Sequence, residues 1–390
     1  MDWGLDKVAV VCAFQRSLRD IAELYGCESS LCGIEEYRRC SGLQSISSIC
    51  FKASRFVAIL IDDGIEFDKK HEIEWHRNFA PVVDKIYSLK SIAAYRSGLE
   101  INTKVTRNEA QVGLDEVLHA GSPARITNKN FIDYLFMQSL EVALQFDLPM
   151  QIHTGFGDKD LDLRLSNPLH LRMLLEDNRF SKSRIVLLHA SYPFSKEASY
   201  LASVYQQVYL DFGLAVPKLS VHGMISSVKE LLELAPIKKV MFSTDGYAFP
   251  ETFYLGANRA RKVVFSVLRD ACIDGDLSIP EAIEAVKDIF TENARKFYRI
   301  NLDVKHFDSK TNISNNFKKM ETDALQPDVA LVRIIWVDAS GQHRCRVSYL
   351  SISIFSNFWV QILTSLEVWQ TMRKLCQLSE LMLMDSTSAI

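Results

Sequence analysis

Leu148-Pro-Met-Gln-Ile-His153, Arg184-Ile-Val-Leu-Leu-His189 and Lys239-Val-Met-Phe-Ser-Thr-Asp245 decide the fold. Each is a short, mainly apolar run that stops at a residue able to bind a metal or carry a proton. Each is followed by a polar or glycine-containing break: Thr154-Gly155, Ala190-Ser191-Tyr192-Pro193 and Gly246-Tyr247. Apolar runs of strand length with no alternation belong to strands buried on both faces, and hence to parallel sheets. In a closed parallel barrel the working residues sit at the C-terminal ends of the strands. Two imidazoles and a carboxylate at that address suit zinc, iron or manganese. A bound metal would make hydroxide available near neutral pH. Asp245 could take the proton of that water, and His189 could polarise or protonate the substrate. One histidine ending a strand would more often just hydrogen-bond backbone; three such residues at near-successive strand ends favour a site.

Working outward, Gln207-Val-Tyr-Leu-Asp-Phe212 reads as another strand, and helices are expected over 195–204, 221–234, 253–268 and 279–297. Asn167-Pro168 opens a helix carried by 169–176, with asparagine as cap and proline in the first turn. Upstream, Phe56-Val-Ala-Ile-Leu-Ile-Asp62 and Leu89-Lys-Ser-Ile-Ala-Ala-Tyr95 are strands, joined by a short crossover over 69–87. Helices over 109–119 and 130–146 follow. Strand and helix alternate with short loops, the pattern of parallel α/β architecture. Six strands are clear, whereas a (β/α)8 barrel needs eight. Val8-Ala-Val-Val-Cys-Ala-Phe14 is offered as a seventh, before a helix with Leu18, Ile21, Leu24 and Tyr25 on one face. The expected fold is a TIM-barrel-like α/β domain, incomplete on its N-terminal side.

Tyr95 and Arg96 follow a strand end, and arginine suits bidentate pairing with a substrate carboxylate. Lys90 lies within the same strand and is expected to face a helix. Asp62-Asp63-Gly64 is good turn chemistry in its own right. Asp158, Asp160 and Asp162 suggest a calcium loop, but Leu163 and Leu169 stand where that loop needs glycine and glutamate. His170 and His222 are read as surface residues. No dinucleotide, phosphate-loop or nucleophile-elbow motif occurs, so no organic cofactor is expected.

With 45 basic and 48 acidic residues among 390, the net charge is -3, and nothing suggests a nucleic-acid or anionic-membrane partner. The eight cysteines form no C-x-x-C pair, so reduced thiols in the cytoplasm are expected. The N-terminus has no basic run ahead of an apolar core and does not read as a signal peptide. After Asn301 the chain turns polar, a linker over 302–328. Ala330-Leu-Val-Arg-Ile-Ile-Trp-Val-Asp338 and Gln342-His-Arg-Cys-Arg-Val347 then read as a β-hairpin. The apolar stretch 349–363 falls short of the ~20 residues of a spanning helix.

Gln151-Ile-His-Thr-Gly-Phe-Gly157, Leu187-Leu-His-Ala-Ser-Tyr-Pro193 and Phe242-Ser-Thr-Asp-Gly-Tyr-Ala-Phe-Pro-Glu251 resemble the amidohydrolase-related, metal-dependent TIM-barrel hydrolases. The likeness runs over about residues 15–300 and is greatest to the N-terminal half of plant nodulin/glutamine synthetase-like fusion proteins. Val332 to Arg346 resembles the start of the synthetase half, its small β domain. The resemblance implies a divalent metal, with zinc foremost, held by His153 and Asp245, with His189 as ligand or acid–base group. It implies a water attacking a C–N or related bond of a small-molecule substrate, and allows a homo-oligomer. The family's first strand ends in His-x-His, and this chain has none; its closest-spaced pair is His71 and His76. The segment between Ile86 and Ser88 reads as shortened, and the synthetase pattern stops at Val347. The expectation is therefore a chain shortened at both ends, with weak metal binding and impaired turnover. It divides into barrel 1–301, linker 302–328, synthetase-like start 329–347 and a divergent, poorly ordered tail 348–390. The alternative is a glutamate–ammonia ligase-type fragment whose barrel serves assembly or regulation.

Overall fold

The structure, a computed structural model, describes residues 7–56, 58–62, 86–119, 126–247, 249–300 and 330–337, with backbone only for 7–13, 58, 61, 62, 118 and 330–337. Six strands lie where the apolar runs place them: β1 (Ala58–Asp62), β2 (Ile86–Ser91), β3 (Met150–Ile152), β4 (Ile185–Leu187), β5 (Val208–Asp211) and β6 (Val240–Met241). A seventh, β7 (Ala330–Val337), comes from the far end of the chain. All pair in parallel, in the order β1-β7-β2-β3-β4-β5-β6. Parallel neighbours need crossovers; helices provide them from β2 to β3 and from β4 to β6, and short helical turns from β3 to β4. No ladder joins β6 to β1 among the described residues, so the sheet is an arc with an open seam.

The alternation of side chains builds two cores. Ile185 and Leu187 face outward with Met150, Ile152 and Leu210, against α4 (Lys129–Gln145), α5 (Ser195–Val204) and α6 (Val221–Leu232). Phe136, Leu140, Leu201 and Leu231 meet them there, all buried. Fully burying each such side chain contributes about 1.5–3 kcal/mol. Val186 and Leu188 face inward with Met241, and Phe297, Tyr298 and Ile300 plug that inner face. Asn128 and Ser220 cap α4 and α6 through Phe131 N and Gly223 N. Two long helices, α7 (Pro250–Asp274) and α8 (Ile279–Lys287), flank the seam; Ser278 and Glu281 form a capping box on α8. Ahead of α4 comes α3 (Arg107–His119).

Four expectations are corrected. Val8–Phe14 is not a strand: it begins α1 (Lys7–Tyr25). No turn residue separates it from the amphipathic segment behind it, so the cooperative helix runs through. With α2 (Leu31–Ser54), α1 makes a helical hairpin packed on α7. The strand expected to end at Tyr95 stops at Ser91, and residues 93–95 form a 3-10 turn. The helix expected over 169–176 breaks into short turns at 168–171 and 172–175.

The hairpin expected around residue 340 is not shown. Its first arm is β7, which pairs in parallel between β1 and β2, Ala58 opposite Ala330 and Ser91 opposite Val337. Its second arm lies outside the described residues. The β2–β7 register shifts between Ile86 and Ser88, where the sequence reads as shortened. The crossover with Asp63, His71 and His76, the linker and the tail all lie outside the described residues. No described helix is long and apolar enough to cross a membrane.

Candidate active site

β3 and β4 run side by side, so the residues just past their ends become neighbours. His189 Nε2 lies 3.0 Å from His153 Nδ1, and both rings are buried. His153 Nε2 lies 3.1 Å from the Phe156 carbonyl, and His189 Nδ1 lies 3.4 Å from that of Gly213. Which nitrogens carry protons follows from the tautomers: His153 Nε2–H donates to the Phe156 carbonyl and His189 Nδ1–H to that of Gly213, which leaves lone pairs on the two facing nitrogens. Burial, then the neighbouring His189 and Lys90, hold the His153 pKa well below the usual imidazole range, against a partial pull from Asp245. A neutral His153 agrees with that assignment.

The turn that carries His189 is strained and held from several sides. His189, Ala190 and Ser191 all have positive φ (67°, 52° and 48°), uncommon outside glycine. Thr154 Oγ1 donates to the Leu188 carbonyl at 2.7 Å and lies 2.7 Å from Ser191 Oγ, while Ser195 Oγ donates to the Ala190 carbonyl. Gly155 lies against this turn so closely that a Cβ there would stand 2.3 Å from the Ser191 carbonyl carbon. Only glycine permits that approach. Asp245, at φ 47°, is likewise left-handed, and it is half-buried in the loop after β6.

Two residues reach this site that the sequence reading did not assign to it. Asp211, at the end of β5, is buried and accepts from Gly213 N at 2.8 Å and Ser243 Oγ at 2.9 Å. Burial pushes its carboxyl up to about 7, Asp245 adds to that, and the two hydrogen bonds and Lys90 oppose it. Lys90 does not face a helix: it is buried at the sheet's inner face and lines the same cavity as His189, Asp211 and Asp245. Both were findable. Asp211 shares the strand-end address, but Phe212 extends the apolar run past it, and a lysine amid a strand was read as interfacial.

The remaining candidates divide. Tyr95 packs on His153, with ring centroids 4.5 Å apart, and its hydroxyl accepts from Asp158 N at 3.2 Å. Arg96 lines a separate small cavity beside Phe136 and Met150, away from the two histidines. His222 is exposed and His170 half-buried, its Nε2 by the Arg164 carbonyl. Asp162 caps a turn and pairs with Arg164.

A tetrahedral metal with nitrogen ligands at about 2.0–2.1 Å sets those nitrogens roughly 3.3 Å apart. The 3.0 Å between His153 Nδ1 and His189 Nε2 therefore fits two positions of such a centre. A third donor does not join them: no group of three histidine, cysteine, aspartate or glutamate side chains gathers for a metal among the described residues.

Residues 123–300 match the family model described as Amidohydrolase. The amidohydrolase match takes in His153, His189, Asp211 and Asp245, and leaves Lys90, Tyr95 and Arg96 outside it. Protein fluG of Emericella nidulans is 35% identical over 240 residues, which is 58% of this chain and 28% of that protein. The chain thus spans little more than a quarter of the curated relative it matches. A solved protein of Lactobacillus casei, described as a candidate metal-dependent hydrolase, is similar with a TM-score of 0.63 and 25% identity. That likeness covers 74% of this chain and 84% of that one. Sequence match and structural likeness agree on an amidohydrolase-type α/β fold.

Proposed function

We propose that this chain is an amidohydrolase-type hydrolase with a reduced metal centre, low in turnover on C–N or related bonds. The observation that carries this reading is the convergence of His153 and His189 at adjacent strand ends, with no third donor gathered beside them among the described residues. His153, His189 and Asp245 would hold the metal, zinc by the chemistry of the set, and a bound metal would supply an activated water. The chain's own residues have definable tasks. His153, kept neutral by burial, offers a nitrogen rather than a proton. Asp245 is placed at the rim to accept a proton, and His189 borders both the paired imidazole and the substrate cavity. Tyr95 packs against His153 and fixes its plane; Arg96 has no place in the cavity.

Elemental analysis and zinc titration of the purified chain test this. Weak, substoichiometric zinc is expected, weakened further by about tenfold or more in His153→Ala and His189→Ala, as for loss of a metal ligand. One tightly held zinc per chain would overturn the reduced centre, and titration curves unchanged in both variants would remove these histidines from it.

A second reading rests on the likeness of Val332 to Arg346 to the start of a glutamine synthetase-like β domain. On it, the chain is part of a nodulin/glutamine synthetase-like fusion in which the barrel serves assembly or regulation. ATP-dependent γ-glutamyl transfer to hydroxylamine would support that reading; its absence with the barrel folded would count against it.

A further inference from the structure

The seam between β6 and β1 is also a cavity of about 1050 Å³ that opens beside His189, Asp211 and Asp245. Its length follows α7. Phe253, Ala257, Arg261, Val264 and Leu268 recur at helical spacing and all line it, so one stripe of α7 forms the wall. Leu60, Met241 and Phe290 complete the apolar surface. Arg261 interrupts the stripe. It is half-buried and donates to the carbonyls of Ser54 at 3.0 Å and Ala53 at 3.3 Å, and no carboxylate pairs with it among the described residues. Arg55, also on the cavity wall, is close enough to repel it.

Of the four arginines lining the cavity, Arg269 and Arg295 pair with Asp270 and Glu292, whereas Arg55 and Arg261 have no acid between them among the described residues and call for an anion. Asp211 and Asp245 stand at the other end, where α7 begins, and a rise of 1.5 Å per residue puts Arg261 roughly 16 Å from that start. The ligand that fits is charged at one end and apolar along its length.

We propose that the seam cavity binds a long-chain carboxylate, its carboxylate at Arg55 and Arg261, its chain along Ala257 and Phe253, and its far end at His189 and Asp245. Arginine's planar fork matches a carboxylate in two parallel hydrogen bonds. Only the fate of the far end, a scissile C–N bond, rests on the hydrolase reading; the binding does not.

Calorimetry of the full chain with decanoate, acetate, 1-decanol and decyl phosphate tests this. Decanoate should bind, with acetate and 1-decanol at least about tenfold weaker, the range of a lost apolar chain or a lost charge-assisted pair, and decyl phosphate no tighter. Arg261→Gln and Ala257→Trp should each weaken decanoate by about tenfold or more, the first by removing the pair and the second by filling the groove. Because Arg261 also ties α7 to α2, the exposed Arg55→Gln provides an arm with little risk to folding. His222→Ala, exposed and outside the cavity, should stay within about twofold of the parent. Equal binding of 1-decanol, or decanoate binding unchanged in Arg55→Gln and Arg261→Gln, overturns the proposal, and preference for decyl phosphate overturns the carboxylate. A dimer that takes up none of the probes puts a second copy in the groove and overturns it as well. Loss of zinc binding with decanoate binding intact would sink the hydrolase reading alone.

Discussion

Asp211 carries the sharpest test at the level of single residues. Its folded pKa of about 7 lies above the ordinary carboxylate value, because burial disfavours the charged form. The folded state therefore holds this proton more tightly than the unfolded chain. The stability it contributes is full below about pH 4 and is lost as pH rises through about 7, by an amount on the order of a few kcal/mol. His153 has the opposite slope: its depressed pKa costs stability as pH falls below the ordinary imidazole value. A single curve would blend the two, but Asp211→Asn separates them. Urea midpoints at pH 5 and pH 8 should show the variant gaining most at pH 8; an equal gain at both would refute a buried, neutral Asp211. The histidines and Asp245 were legible from one line of reasoning, apolar runs that stop at a ligand. Their direct contact was not, since it depends on how two parallel strands bring their ends together.

At the level of elements, the question is what holds the loop bearing Asp245. Glu251 opens α7, is buried, and accepts from Tyr25 Oη at 2.5 Å and from Arg38. Tyr25 and Arg38 belong to the helical hairpin α1–α2, which also stacks Tyr25 on Tyr37 and sets Arg38 over Phe249. The other oxygen of Glu251 is buried without a hydrogen-bond partner, so the carboxylate leans heavily on Arg38 and Tyr25. Removing one member of a buried ion pair costs about 3–5 kcal/mol because the other charge is stranded. Arg38→Ala should lose about that much, and Tyr25→Phe about 1.5–3 kcal/mol for a hydrogen bond to a charged group. Arg38→Ala with Glu251→Gln should recover much of the loss. Denaturant unfolding of the three proteins checks the order; additive losses would mean that the pair is not coupled. The amphipathic half of α1 was readable from Leu18, Ile21, Leu24 and Tyr25. Its partnership with Glu251 joins residues more than 200 positions apart, and no periodicity carries that.

For the whole molecule, β7 sets two accounts of the chain against each other. Read from sequence, residues 302–328 are a linker and residues 329–347 start a separate domain, so the barrel should not depend on them. In the structure, β7 lies between β1 and β2, with five paired positions to each. Parallel strands cannot close that gap without shifting, because each backbone amide and carbonyl freed there must find a new partner or water. Ending the chain at Asn301 distinguishes the two accounts. If β7 is integral, the shortened chain loses several kcal/mol, the scale of unpairing a strand from a buried sheet. Hydrogen exchange at β2 should then quicken while that at β4 and β5, which have their own neighbours, changes least. If residues 329–347 belong to a separate domain, urea midpoint and exchange both stay at the parent's values. The sequence reading missed this placement because Val-Arg-Ile-Ile-Trp-Val suits a buried parallel strand as well as a hairpin arm. Only the partners decide between them, and those partners lie more than 240 residues upstream.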